Sequence, residues 1–185
     1  MRVVKYDFQA AAHWASTLLQ SPLSPEAGFL VVQTAQAARL NVSPAAEAGG
    51  AEPAPLATWL DLESPDLLEQ VRLTLGQPVP EVLDPLWDVI VPGCAFAACR
   101  ENDLLLAAAL LELLVHWKSE FAHEIADFLA FQQRPDGACG FLNPLKPAPF
   151  AREQAALSFH LPATHAVTRA LAAYELRRQA ADAHA

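Results

Sequence analysis

Asp136, Cys139, His160 and His165 lie close together in the sequence. One thiol, one carboxylate and two imidazoles are donor types that hold zinc, so these four are the candidate metal ligands. Within the same stretch His165 can act as a general acid or base, with Asp136 as the group that orients it. Each residue also has a plainer role. Asp136 belongs to a Pro-Asp-Gly turn, Cys139 can pack as a small apolar side chain, and His165 falls in the first turn of a helix. The plainer roles carry more weight, so we expect no bound metal and no cofactor. Asp136 and His165 stand as the catalytic candidates if the chain performs chemistry at all.

Two further sets invite a chemical reading. His116, Glu120, His123, Glu124 and Asp127 would share one face of an unbroken helix, and Glu120-x-x-His123 is half of a di-iron carboxylate signature. The second half is missing, and a helix break at Ser119 would scatter the stripe, so a solvated outer face is expected. Trp14, Trp59, Trp87 and Trp117 are candidates to line an apolar ligand cavity, although tryptophans also serve as core or as subunit contacts. A serine nucleophile elbow, a phosphate-cradling glycine loop, HExxH and GxGxxG are all absent from the sequence.

The elements that must position these residues are helical. Tyr6 to Gln20 carries apolar residues at helical spacing. Ser24-Pro25-Glu26 then supplies an N-cap, a first-turn proline and a first-turn acid for a second helix ending near Leu40, giving an αα-hairpin. Residues 41–55 are rich in Pro, Gly and Ala and are expected to form a flexible linker inside a single all-α domain spanning 1–185. A short helix carrying Trp59 is expected over 56–62. Ser64-Pro65-Asp66 opens another that ends at Gly76. Four prolines punctuate 77–93, where one short helix is expected near 81–90, with an extended Val89-Ile90-Val91 as the alternative. From Ala95 to Gln133 there is neither Pro nor Gly. Breaks are expected near 99–102, with Asn102 as a cap, and near Lys118-Ser119. Residues 103–117 are apolar on nearly every side and should lie at the centre of the core. The last helix opens at Leu161. It should face inward with Val167, Ala170, Leu171 and Tyr174, and leave Arg169, Arg177 and Arg178 in water.

A helix over Phe121–Gln133 ends in Gln133-Arg134-Pro135-Asp136-Gly137-Ala138-Cys139-Gly140, and a loop leads to the helix containing His165 and Thr168-Arg169-Ala170-Leu171. This unit resembles one repeat of the α/α-toroid proteins, the terpenoid cyclases and protein prenyltransferase β-subunits. The resemblance implies stacked αα-hairpins. With room for roughly six to eight helices, they would make a partial ring or an irregular helical bundle. It also implies, as an alternative function, a small enzyme or carrier acting on an isoprenoid-like or polycyclic molecule.

Composition narrows the partners. Hydrophobic residues make up 53% of the 185 and charged residues 18%, enough to bury one core. The net charge of −9 and the lack of a Lys/Arg cluster argue against nucleic acid and against an anionic membrane surface. Three cysteines without CxxC spacing and no secretion signal suggest reduced thiols in a cytoplasmic protein. The expected function is a non-catalytic helical interaction or scaffold module, whose partner is a second copy or another protein.

Overall fold

The computed structural model describes residues 5–20, 22–40, 64, 66–75, 86–141 and 155–183. Among them the chain is all-α, with helices α1 (Phe8–Thr17), α2 (Pro25–Ala38), α3 (Leu67–Leu75), α4 (Trp87–Glu101), α5 (Leu104–His116), α6 (Ala122–Phe131) and α7 (Leu161–Asp182). The linker expected at 41–55, the short helix carrying Trp59 and the stop at Gly76 lie outside the described residues.

Local chemistry sets most of the helix ends. Asp7 caps α1, its Oδ1 accepting from the Ala10 N–H at 2.9 Å. Ser24 caps α2 in the same way through Ala27, with Pro25 and Glu26 in the first turn. Between α4 and α5 the break falls where expected, but Asn102 does not cap the following helix. It ends the preceding one in the left-handed region (φ 59°), a conformation Asn tolerates, and Asp103 caps α5 by accepting from the Leu106 N–H at 3.1 Å. Lys118 also turns left-handed (φ 62°), separating α5 from α6.

The segment around Pro92 departs from expectation. Instead of a short helix near 81–90 bounded by Pro92, one helix runs from Trp87 through Pro92 to Glu101. Proline removes one N–H and crowds the preceding turn. Yet Val91, Pro92, Ala95, Ala98 and Cys99 are all buried, so packing of this face outweighs the local cost.

Helix α5 occupies the middle, packed against α3, α4, α6 and α7. It buries Leu110, Leu111, Leu113 and Leu114 almost completely, as its all-round apolar sequence requires. Helix α7 lies along α5, with Val167, Ala170 and Leu171 buried beneath it. The α1–α2 hairpin covers α7 from another side through a smaller cluster of Ala15, Val31 and Leu161. No helix among the described residues is long and apolar enough to cross a membrane.

Candidate functional site

The turn after α6 is held from two directions. Gly137 (φ 94°) lies so close to α1 that a Cβ there would collide with the Ala10 carbonyl oxygen, so the turn requires glycine both for its backbone angle and for space. Next to it, the Gln133 side-chain amide pairs with the backbone of Asp7. Its Nε2 donates to the Asp7 carbonyl and its Oε1 accepts the Asp7 N–H, each at 2.7 Å. A lone antiparallel bridge joins Gln133 to Cys139 and closes the turn.

On the other side the turn meets the start of α7. The Cys139 N–H donates to Thr164 Oγ1 at 2.8 Å. The Thr168 hydroxyl donates to the Thr164 carbonyl at 2.6 Å, so it accepts from the Tyr6 hydroxyl at 2.7 Å. The Cys139 thiol lies 3.5 Å from that phenol oxygen. Burial pushes the Cys139 thiol up to about 11, and burial likewise raises the Tyr6 phenol. A thiol kept protonated in this way is not a nucleophile at neutral pH.

His160 precedes α7 in a π-helical turn over Ala156–His160. Arg134 Nη1 donates to its Nε2 at 2.9 Å, and its Nδ1 lies 3.0 Å from the Cys139 carbonyl. Arginine can only donate and a carbonyl can only accept, so the ring hydrogen sits on Nδ1. Asp136 is exposed; its Oδ2 accepts from Arg134 Nη2 at 2.9 Å and its Oδ1 from the Ala138 N–H at 3.2 Å. Three of the four candidate ligands therefore meet around this turn, but through hydrogen bonds to Arg134, Tyr6 and Thr164. Among the described residues, no group of three or more His, Cys, Asp or Glu side chains is arranged to hold a metal ion.

His165 faces a different neighbourhood. Its Nδ1 is buried without a hydrogen-bond partner. Burial first, then the positive charges of Arg169 and Arg72, lower its pKa to about 4, so the ring is neutral at physiological pH. One turn further along α7, Arg169 Nη2 donates to Glu112 Oε2 at 2.7 Å. Glu112 is the only acidic residue of α5, and burial raises its carboxyl above the usual range against the pull of Arg169 and Arg72. Arg169 is thus not left in water as its position predicts, and neither is Arg177, whose Nη1 donates to the Val115 carbonyl at 2.7 Å. Arg178 stays at the surface, paired with Glu175.

The face that an unbroken helix would present from His116 to Asp127 is divided by the left-handed turn at Lys118, where the break is expected. On α6, His123 Nδ1 sits 3.1 Å from the Tyr174 hydroxyl and its Nε2 3.7 Å from Asp127, all at the surface. The tryptophans fall into two separate packing groups. Trp87 is buried in the main cluster and Trp117 packs against it, whereas Trp14 packs against the cluster beneath the α1–α2 hairpin; Trp59 lies outside the described residues.

Sequence reasoning passed over Tyr6, Arg134, Thr164 and Thr168. One usable signal was present: Thr164 and Thr168 are spaced i, i+4 on the inward face of α7. Comparison with family models, curated proteins and solved structures finds no match to this chain.

Proposed function

We propose that the chain is a non-catalytic helical interaction module, with the outward face of α4 as its contact surface. The observation behind this reading is the exposure of Val89 (71%) and Phe96 (45%), which with exposed Gly93 follow one side of the helix at i, i+4 and i+7. Single exposed apolar residues are ordinary, but two large ones flanking a glycine on one helix face make a surface that a partner can cover. The non-catalytic part is supported by Asp136, Cys139 and His160, whose polar atoms are taken up within the chain. The resemblance to a partial α/α-toroid draws on the turn that follows α6 and bears on the stacking of the helices more than on any reaction.

The test is a Val89→Asp/Phe96→Asp variant compared with wild type by light scattering and affinity capture. Wild type is expected to assemble or to retain a protein partner, and the variant to lose that association while keeping its helical circular dichroism. A wild-type protein that is monomeric and captures nothing would sink the proposal. The alternative, a small enzyme or carrier for an isoprenoid-like or polycyclic molecule, is favoured by one feature, the unpartnered buried nitrogen of His165. Native mass spectrometry showing an apolar small molecule retained by wild type would move the reading there.

A further inference from the structure

We infer that the α1–α2 hairpin is a releasable unit, latched to the rest of the molecule by Tyr6, Asp7 and the 133–140 turn, and that its release uncovers Cys139, Thr164 and Thr168. The hairpin packs on α7 through an apolar cluster of its own, separate from the main one. The main cluster is built from α3 to α7, and from the hairpin and the segment before it takes only Tyr6 and Ala11 as buried members. The hairpin's own contact with α7 buries Ala15, Val31 and Leu161, with partly buried Trp14, Leu18 and Leu30 around them. On α2, Val31, Thr34 and Ala37 are buried and Leu30 packs beside them, whereas Phe29 (62%) and Val32 (50%) are exposed.

The polar contacts that tie the hairpin to the 133–140 turn and α7 are gathered at one end. Tyr6 reaches Thr168 and Cys139, the Asp7 backbone pairs with the Gln133 amide, and Gly137 seats against Ala10, all at the entry to α1. Contacts held at one point break together, so the hairpin opens as a unit below the cost of global unfolding.

The chain carries its own control. Cys99 in α4 is buried like Cys139 and burial raises both thiols, so Cys99 serves as the internal reference, and the urea dependence of each rate separates local opening from global unfolding. Wild-type protein is treated with a neutral aromatic disulfide, and labelling of each cysteine is followed by peptide mass spectrometry. Cys139 is expected to label at least about tenfold faster than Cys99, with a weaker dependence on urea. Tyr6→Phe is expected to raise the Cys139 rate a further tenfold or so, through loss of the hydroxyl's buried hydrogen bonds to Thr168 and Cys139, with Cys99 unchanged. Hydrogen exchange on wild type should show the amides of α1 and α2 opening before those of α5. Equal rates and equal urea dependence for the two cysteines would overturn the inference, as would a Tyr6→Phe protein with an unaltered ratio. If Tyr6→Phe does not fold, uniform exchange protection across α1, α2 and α5 in wild type would overturn it by itself.

Discussion

At the scale of single residues, two positions decide measurable properties. His165 is neutral in the folded protein, with a pKa of about 4 against 6.5 for the free side chain. Between these values the unfolded chain binds a proton that the native state does not, so stability is full above about pH 6.5 and falls as pH drops toward 4. The loss should approach about 3 kcal/mol and should be absent in His165→Gln, read from urea midpoints at several pH values. Glu112 works in the opposite sense. Its raised pKa means the native carboxyl holds its proton longer, which offsets part of the loss just above the usual carboxylate range. The second position is Gly137. Gly137→Ala drives a methyl into the Ala10 carbonyl and strains a φ of 94°, so a destabilisation of about 2–4 kcal/mol is expected in urea titration. The need for glycine here was legible from the Asp-Gly pair; the atom that a side chain would strike was not, because Ala10 is remote in sequence.

At the scale of elements, sequence patterns gave the helices and missed how one of them continues. The caps at Ser24 and Asp103 and the left-handed residues at Asn102 and Lys118 follow from short-range chemistry. Asn102→Ala should therefore cost about 1 kcal/mol and Asn102→Gly next to nothing, measured by thermal unfolding. Pro92 reads locally as a stop, yet α4 runs through it, because its burying face packs on α5 and α6. The register of α7 on α5 also depends on a pairing that spacing alone does not reveal. Arg169→Ala would leave the Glu112 carboxylate buried and unpaired. Since Arg169 is 37% exposed, the expected cost is about 2 kcal/mol, less than for a fully buried pair. Replacing both partners with leucine and methionine should recover most of that loss in the same urea assay.

At the scale of the whole molecule, a body of α3 to α7 built around α5 carries the α1–α2 hairpin, which packs on α7 through a separate apolar cluster and meets the 133–140 turn through Tyr6 and Asp7. Unfolding followed by near-ultraviolet circular dichroism, which reports the tryptophans, should show Trp14 released before Trp87 in a Trp14→Phe comparison, because the two belong to separate packing groups. The amino-acid order by itself determined the all-α class, most helix ends, the central place of residues 104–116 and the tight turn at Gly137. All of these follow from periodicity and from contacts only a few residues apart. Only the tertiary structure decided that Tyr6 reaches Thr168 and Cys139, that Arg134 engages His160, and that Arg169 meets Glu112. Each of those contacts joins residues at least 26 positions apart, and no local spacing encodes which distant partner a polar side chain will find when the helices close.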